Sequence, residues 1–287
     1  MFLPQQTADG SFTFFSTEFG EAFHSHYGAR QEAQMKFVVP TCLLQKAQQP
    51  KLRLLDICYG LGYNTAAALE TIWAINPNCA VEVVGLERDP AVPSSAIAHN
   101  LLSCWKCDTT EILSLLAAEH QVQTHRLNAT LLIGDARATI GLVHELGFQA
   151  DAIFLDPFSP PSCPQLWTGE FLLRVAKCLH PDGRLATYSC AAAVRTALIA
   201  SGLQIGSTPP VGRRSPGTVA SWVATDLPAL SRQEQEHLLT RAAIPYRDPQ
   251  LSDDSAEILY RRQQEQNDSS LEPTSRWRKR VRKEVAG

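Results

Sequence analysis

The sequence predicts an α/β protein built on a mostly parallel sheet, and two features of the residue pattern carry this prediction. Between residues 52 and 200, five short apolar segments alternate with segments of helical periodicity, which is typical of parallel strands with helices on both faces. Two further extended stretches, at 203–211 and 218–224, follow with no helix between them, so they can pair only as an antiparallel hairpin.

The predicted elements follow one another in a regular order. Strands are expected at 52–56, 81–87, 130–135, 152–156 and 183–188. Helices are expected at 65–75, 91–102, 168–178 and 191–200, and a further helix follows the third strand and ends at residue 146. The hairpin adds two strands to these five, which gives a sheet of seven. Ahead of the sheet, a short hairpin within 10–23 and helical spacing over 28–44 predict a small N-terminal extension.

The composition then divides the chain into three predicted parts. Residues 1–50 form the N-terminal extension, and residues 51–225 form the main domain. After residue 226 the chain turns polar, with helices predicted over 231–241 and 253–266 and a basic tail at the end. We expect residues 226–287 to be these polar helices and the tail, a composition that allows partial disorder.

The overall composition excludes several classes of protein. Apolar residues make up 44% and the net charge is −3, which argues against binding nucleic acid with the whole surface but allows a local basic patch. We find no run of about twenty apolar residues and no secretory pattern at the start, so we expect a cytoplasmic protein without a membrane span. The 8 cysteines include one close pair, Cys104 and Cys107, without a second pair, so no metal site is expected.

Acidic residues end four consecutive predicted strands. Asp56, Glu87, Asp135 and Asp156 stand at these ends, and the carboxyl ends of parallel strands form the edge at which open α/β sheets bind ligands. Asp56 also begins a turn that contains Gly60 and Gly62, where the missing Cβ lets the backbone approach a ligand closely. The pattern therefore predicts a nucleotide-containing ligand at this edge.

The acids have natural roles if that ligand is S-adenosylmethionine. Asp56 would orient the amino group, directly or through water, and Glu87 would accept hydrogen bonds from both ribose hydroxyls. Asp135, beside Ala136, would accept from the exocyclic amine of adenine. A dinucleotide site needs a third glycine where Thr65 stands. Together with the closing hairpin, this favours the class I methyltransferase arrangement, a Rossmann-like, mostly parallel seven-stranded sheet with an antiparallel terminal hairpin.

The turn after the fourth strand predicts a site for a methyl acceptor. Asp156 is followed by a proline and by Phe158, and this run resembles the site of amino-group methyltransferases, in which an acid and backbone carbonyls hold the nitrogen lone pair towards the methyl sulfonium. An aliphatic amine must be unprotonated and in line to attack, so Asp156 would accept the leaving proton or orient the nitrogen, and positioning would supply most of the acceleration. The same proline-rich sequence is also compatible with a merely rigid turn.

Several motifs resemble the methyltransferase domain of the MnmC family, bacterial enzymes that make 5-methylaminomethyl-2-thiouridine at the wobble position of tRNA. These are FLDPFSP at 154–160, PQLWT at 164–168, GLGYN at 60–64, LATYS at 185–189 and the glycine-arginine-arginine turn at 212–214. The resemblance spans roughly residues 10 to 225 and lacks the oxidase that follows in two-domain members. It implies S-adenosyl-L-methionine as cofactor and a stand-alone enzyme that methylates the aminomethyl nitrogen of the modified uridine.

The resemblance also implies roles for individual residues. Asp156 and Phe158 would be catalytic, and the cofactor would be bound by Asp56, Gly60, Gly62, Asn64, Glu87, Asp135 and Ala136. Substrate contacts would come from Trp167, Arg195, Arg213 and Arg214, the arginines pairing phosphates near the anticodon. Trp167 either stacks on a base or packs in the core. The basic tail at 276–283, with Trp277 within it, either holds tRNA or is a solvated end.

Three other functions share parts of this pattern. An aminopropyl transferase of the spermidine synthase type has the same fold, but its first turn carries three glycines where this chain has Cys58, Tyr59 and Gly60. A small-molecule amine methyltransferase would use the same acids. A binding or regulatory protein that keeps the fold without catalysis would not require the complete set of four strand-end acids.

Overall fold

The computed structural model describes residues 3–212 and 215–286, with the backbone alone for 283–286. The chain begins with a small antiparallel sheet of β1 (Pro4–Gln6), β2 (Phe12–Ser16) and β3 (Glu21–Ala22). Three short helical segments follow: α1 (Ala29–Glu32), a π-helix (Ala33–Val38) and α2 (Leu43–Lys46). The predicted N-terminal hairpin and the helical spacing after it are therefore both present in the fold.

The main sheet contains eight strands within the described residues. They are β4 (Lys51–Ile57), β5 (Ala80–Glu87), β6 (Gln121–Gln123), β7 (Leu127–Ile133), β8 (Ala150–Leu155), β9 (Leu179–Thr187), β10 (Gln204–Thr208) and β11 (Gly217–Ser221). Their spatial order is β10-β11-β9-β8-β4-β5-β7-β6. Strands β4, β5, β7, β8 and β9 run parallel, while β6, β10 and β11 pair antiparallel.

Helices cover both faces of this sheet. They are α3 (Tyr63–Ile75), α4 (Ala91–Ala98), α5 (Cys107–Glu119), α6 (Ala136–Glu145), α7 (Gly169–Lys177) and α8 (Ala192–Ala200). Because side chains alternate along a strand, Leu54 enters the core beneath the N-terminal helices and α3, whereas Leu55 enters the core beneath α6, α7 and α8. All four of Leu52, Leu54, Leu55 and Ile57 are fully buried, as a near-continuous apolar strand in a parallel sheet requires.

The strand order fixes where a ligand can bind. From β4 the chain moves outward through β5 and β7, then returns to β8 on the other side of β4 and continues to β9. The order therefore reverses between β4 and β8, and open α/β sheets bind ligands outside the carboxyl ends of the strands at such a point.

The part after residue 226 folds onto the main domain. It contains α9 (Arg232–His237), a 3-10 turn (Arg241–Ala243), α10 (Ser255–Asp268) and α11 (Thr274–Ala286). Helix α9 begins with a capping box at Ser231 and Glu234, with both reciprocal hydrogen bonds, where the helix over 231–241 was predicted to begin. Tyr246 and Ile258 are buried in the core beneath α7, so this part shares the apolar interior of the sheet.

The sheet differs from the predicted one in a single strand. In the part of the chain that the structure describes, the main sheet has eight strands where seven were expected, because residues 121–123 add a short antiparallel strand beside β7. Helix α5 was also missed, since its sequence mixes polar and apolar residues without a clear stripe. No helix among the described residues is long and apolar enough to cross a membrane.

Candidate active site

A cavity of about 510 Å³ opens at the carboxyl ends of the central strands, where the strand order reverses. Six residues expected to bind cofactor or acceptor line it: Gly60, Glu87, Asp135, Ala136, Asp156 and Phe158. Its volume lies in the range of small-molecule sites. Going along the sheet edge from β8 to β7, Asp156 lies at one end, Glu87 near the middle and Asp135 at the other end.

Glu87 stands at the end of β5 with its carboxylate at the cavity wall. One oxygen accepts a hydrogen bond from the backbone N–H of Gly60 at 2.8 Å, and the other accepts from Asp89 N–H at 2.9 Å. Burial raises the pKa of this carboxyl group. Each carboxylate oxygen can accept more than one hydrogen bond, so both retain capacity for the hydroxyl donors of a sugar.

Asp56 lies beneath the turn and does not line the cavity, so its predicted action on the cofactor's amino group, directly or through water, stays a prediction. Its side chain is fully buried, and one oxygen accepts from Thr65 Oγ1 at 2.7 Å. Burial raises the pKa of this carboxyl to about 7. In this position Asp56 joins the end of β4 to the first turn of α3, and so fixes the turn that borders the cavity.

Gly62 also differs from expectation, because it does not line the cavity. It caps α3 in the left-handed region, with φ of +82°. A Cβ at this position would lie 2.5 Å from the hydroxyl oxygen of Tyr59. Packing against Tyr59 therefore requires this glycine, whereas Gly60, with φ of +57°, is the glycine that borders the cavity.

Asn64 contacts Asp156, although it was predicted to bind cofactor. Asp156 and Phe158 form the end of the cavity where the methyl acceptor was predicted to bind, and this part is called the acceptor end. Asn64 is buried on the first turn of α3 and does not line the cavity. Its side-chain Nδ2 donates to a carboxylate oxygen of Asp156 at 3.0 Å. Asn64 therefore orients Asp156, which is half-buried and faces the cavity.

The loop after Asp156 is held at three points. Tyr188 donates its hydroxyl hydrogen to the carbonyl oxygen of Pro157 at 2.8 Å, and Trp167 donates from Nε1 to the carbonyl of Phe158 at 2.8 Å. The ring of Phe158 stacks on Phe19 with centroids 4.3 Å apart. The ring at the acceptor end is thus fixed by contacts on its backbone and on its face.

Trp167 and Arg195 are corrected as substrate contacts. Trp167 has no exposed surface and packs in the core, so it supports the acceptor loop from behind. Arg195 is 1% exposed and pairs with Glu234 at 2.8 Å, and it also donates to Thr218 Oγ1 and to a backbone carbonyl oxygen. A guanidinium committed to these partners ties α8 to the hairpin and α9 and does not reach a phosphate.

Arg213 and Arg214 lie outside the described residues, so their predicted contacts with phosphate stay predictions.

Tyr63 is 1% exposed, and its ring stacks on the His24 ring with centroids 5.2 Å apart, which places both residues in the interior. Trp277 stacks on His237 with ring centroids 4.6 Å apart, so one face of its indole is already covered.

At the other end, Asp135 caps α6 and lines the cavity beside Ala136. Its carboxylate accepts from the guanidinium of Arg137, with Nη2 at 2.7 Å. Burial works to raise the pKa of Asp135, but the hydrogen bonds and charge of Arg137 outweigh it and lower that pKa. Asp135 is therefore a carboxylate with a fixed orientation at the place predicted for adenine.

The sequence reasoning missed the wall that the N-terminal extension provides. The segment from β2 to β3, with Phe23 and Glu32 after it, lines the cavity on the side facing the acceptor loop. Glu21 accepts from the Ser159 backbone N–H at 3.0 Å, from Ser162 Oγ at 2.6 Å, and from Ser159 Oγ as well. Residues 23–32 also resemble the N-terminal segment of the MnmC family, and this resemblance was the only signal in the sequence for that wall.

Acidic side chains dominate the cavity. Seven carboxylates line it: Glu18, Glu21, Glu32, Glu87, Asp89, Asp135 and Asp156. Two arginines, Arg88 and Arg137, accompany them among the described lining residues. An excess of negative charge in a partly enclosed site attracts cations. Both a sulfonium and a protonated amine carry such a charge.

Comparison with known proteins places this site in a family. A family described as S-adenosyl-L-methionine-dependent methyltransferase matches residues 99–222. The crystal structure of MNMC2 from Aquifex aeolicus is 34% identical in sequence and superposes on this chain with a TM-score of 0.82. The superposition covers 94% of this chain and 86% of the Aquifex chain. The chain belongs to the MnmC methyltransferase family. It is an S-adenosyl-L-methionine-dependent methyltransferase with a class I sheet.

Sequence relatives agree with this assignment. The MnmC bifunctional protein of Acidovorax sp. is 32% identical over 212 residues, which cover 69% of this chain and 32% of that protein. An uncharacterized protein of Methanocaldococcus jannaschii is 29% identical over 255 residues, or 86% of this chain and 67% of its own length. The chain thus spans about a third of the length of the bifunctional relatives that it matches.

The residues at the cavity fit the cofactor of the MnmC family. Glu87 offers a carboxylate for ribose hydroxyls, and Asp135 offers one at the end predicted for adenine. The turn at Gly60 borders the cavity with no side chain, where an added Cβ would already lie 3.5 Å from the ring of Phe23. Cys58, with φ of +66°, occupies a left-handed position in the same turn and lines the cavity.

Proposed function

We propose that this chain methylates the aminomethyl nitrogen of 5-aminomethyl-(2-thio)uridine at the wobble position of tRNA. The single observation that carries the proposal is the acceptor end of the cavity, where Asp156 is oriented by Asn64 beside the ring of Phe158. The MnmC relatives are named tRNA 5-methylaminomethyl-2-thiouridine biosynthesis bifunctional proteins, and this name supports an aminomethyl-uridine of tRNA as the acceptor.

The arrangement supports methyl transfer mainly by positioning. When bound, S-adenosyl-L-methionine supplies a methyl group on a positively charged sulfur. Asp156 would accept a hydrogen bond from the amine, and its carboxylate would take the proton that the nitrogen loses when it is methylated. Phe158, fixed by its stacking on Phe19, provides an apolar surface for the pyrimidine.

A basic surface on α11 is the part of the described chain best suited to tRNA. Arg276, Arg278, Lys279 and Arg282 are exposed along this helix. Arg280 is instead paired with Glu236 at 2.9 Å and with Glu272 at 3.2 Å, which attaches the helix to the protein. Exposed cations on a fixed helix can pair phosphates, and such binding weakens steeply as salt is raised.

The proposal extends to the organisation of the chain and the place of the reaction. Residues 51–225 would carry the methyltransferase fold, and residues 1–50 and 226–287 would complete its cavity and its RNA-binding surface. The anticodon region of tRNA would be the part bound, in the cytoplasm.

The decisive experiment uses methyl-labelled S-adenosyl-L-methionine and tRNA from cells that lack this methylation, followed by nucleoside analysis. We expect label in the wobble nucleoside with the wild-type chain. Asp156→Ala and Asp156→Asn should each lower transfer at least about a hundredfold while the affinity for S-adenosyl-L-methionine stays within about twofold, because Asp156 acts on the acceptor.

A matched control lies at the other end of the same strand. The carboxylate of Asp151 accepts from Arg53 N–H at 2.8 Å, away from the cavity, so Asp151→Asn should keep its transfer rate. Near-normal transfer by Asp156→Ala would contradict the acceptor site. Label in small amines and none in tRNA would instead assign the chain to small-molecule amine chemistry.

A further inference from the structure

The adenine end of the cavity is completed by a segment that lies more than a hundred residues further along the chain. Residues 246–258 run beside the first turn of α6, and Ser255 in this segment lines the cavity. The hydroxyl of Ser255 bonds with Gln165 Nε2 at 2.7 Å, and Gln165 also lines the cavity. The contact between this segment and the cofactor edge therefore involves residues exposed to a bound ligand.

Arg137 links the segment to the predicted adenine acid. Its Nη1 donates to a carboxylate oxygen of Asp248 at 2.8 Å and to the carbonyl oxygen of Asp253 at 2.8 Å. Its Nε and Nη2 donate to Asp135, the latter at 2.7 Å. A guanidinium has five N–H hydrogens in a planar fork, so these contacts fix its plane and leave one Nη2 hydrogen for a ligand.

Asp248 is built into the fold in a way that serves this contact. Its side chain has no exposed surface. One oxygen accepts from the backbone N–H groups of Ser252 and Asp253, at 3.0 and 3.2 Å, and the other faces Arg137. A buried carboxylate is stable when it is paired and hydrogen-bonded, and here the paired cation lies on the cavity wall.

The segment itself is attached elsewhere, independently of Arg137. Arg247 pairs with Glu170 at 2.6 Å, and the same carboxylate accepts from the Asp248 backbone N–H at 2.9 Å. Tyr246 bridges to Thr168, and Ile258 is fully buried. The position of the segment and the orientation of Arg137 can therefore be altered separately.

We propose that Asp248 is a positioning residue for cofactor binding: it holds Arg137 so that its guanidinium contacts adenine at the wall formed by Asp135. Without the Asp248 carboxylate, the guanidinium would lose its second anchor, and the fork would turn about its bonds to Asp135. The proposal rests on the placement of adenine beside Asp135 and does not depend on which amine accepts the methyl group.

The test measures binding of S-adenosyl-L-homocysteine and of adenosine by calorimetry, without any acceptor. Asp248→Asn keeps the shape of the side chain and removes its charge. We expect both ligands to bind about tenfold more weakly, since a charge-assisted hydrogen bond that fixes the guanidinium is lost. In the methylation assay, KM for S-adenosyl-L-methionine should rise by a similar factor while kcat at saturating cofactor stays unchanged.

Glu170→Gln is the matched control, because it weakens the attachment of the same segment without touching Arg137. We expect its affinity for adenosine to stay within about twofold of wild type. Equal losses in Glu170→Gln and Asp248→Asn would overturn the proposal, because they would show a general loosening of the segment. Unchanged binding by Asp248→Asn would overturn it as well.

Two further variants keep the test decisive if Asp248→Asn folds poorly. Arg137→Lys retains a cation opposite Asp248 but loses the planar fork, and we expect the same tenfold loss of adenosine affinity. Asp135→Asn should weaken adenosine binding too, and unchanged binding there would overturn the placement of adenine on which the proposal rests. If only the tRNA assay failed, the binding results would be unaffected. Such a failure would contradict the proposed acceptor and not the role of Asp248.

Discussion

The two ends of the cavity are both completed by chain from outside the alternating strands and helices, but through different kinds of contact. At the acceptor end, Glu21 accepts from the hydroxyl and amide groups of Ser159 and Ser162, and Phe19 stacks on Phe158. At the adenine end, Arg137 is paired with two carboxylates, one of which is fully buried.

The difference indicates which end can open. The ring contact at the acceptor end contributes about 1 kcal/mol and each hydrogen bond to the Glu21 carboxylate about 1.5–3 kcal/mol, but Glu21 is only half-buried, so water can replace the serine donors one at a time. Separating a guanidinium from a buried carboxylate costs about 3–5 kcal/mol. We therefore expect the adenine end to stay closed around the cofactor, while the acceptor end opens to admit and release a nucleoside.

The largest effect is expected from Glu87→Ala, which removes the carboxylate predicted to bind ribose and its hydrogen bonds to the turn at Gly60. Loss of hydrogen bonds from two ribose hydroxyls to a carboxylate should weaken S-adenosyl-L-methionine binding about a hundredfold. Calorimetric titration measures this, and Glu87→Gln, which keeps one carbonyl oxygen, should lose less. Because Glu87 lies between the two ends, kcat at saturating cofactor should change little. An unchanged titration curve would remove the ribose role.

Asp56 allows a prediction about the stability of the fold, because this residue lines neither end of the cavity. Its pKa of about 7 in the folded protein lies above the ordinary value, so the folded state holds a proton that the unfolded state has lost between about pH 4 and 7. The free energy of unfolding should therefore fall as the pH rises through this window, by roughly 2 kcal/mol between pH 5 and 7.

In Asp56→Asn this contribution to the pH dependence should disappear, because the amide does not titrate and its oxygen can still accept from Thr65. Denaturant unfolding of the cofactor-free protein at several pH values measures the difference. Parallel pH profiles for the wild type and the variant would contradict the raised pKa.

The smallest effect is expected from Glu21→Gln, which tests whether the acceptor end is held by neutral donors. One oxygen of the amide can still accept from Ser162 or Ser159, so we expect a loss of only about tenfold in kcat, with the affinity for S-adenosyl-L-methionine unchanged. The double variant Ser159→Ala and Ser162→Ala should give a similar loss. An equal rise in KM for the cofactor would show that the two ends are not separate.

The sequence was informative where function depends on local pattern. Strand periodicity located Glu87, Asp135 and Asp156 at one edge, because the carboxyl ends of parallel strands all lie at the same edge of the sheet. The same reasoning located Asp56 at this edge but could not show that its side chain turns inward to Thr65. Spacing along a strand gives a face of the sheet, and packing decides what the side chain touches.

Long-range contacts were beyond the reach of the pattern. Arg195 was expected at phosphate because it lies near the ligand edge, but Glu234 on a distant helix pairs with it in the interior. Likewise, no periodicity in residues 16–23 indicated that they would cover the acceptor loop. The partner of a polar side chain depends on how separate segments pack against each other. The spacing of residues in a single sequence does not show this packing.

The pairing of Arg137 with Asp248, 111 residues away in sequence, has a consequence for how the protein is made. During synthesis the sheet from β4 to β9 can form before residue 248 has left the ribosome, but the Arg137–Asp248 pair cannot. Contacts of such separation are closed late, because the loop entropy must be overcome first. A nascent chain would therefore form most of its sheet before this pair closes, and until then it would bind its methyl donor more weakly.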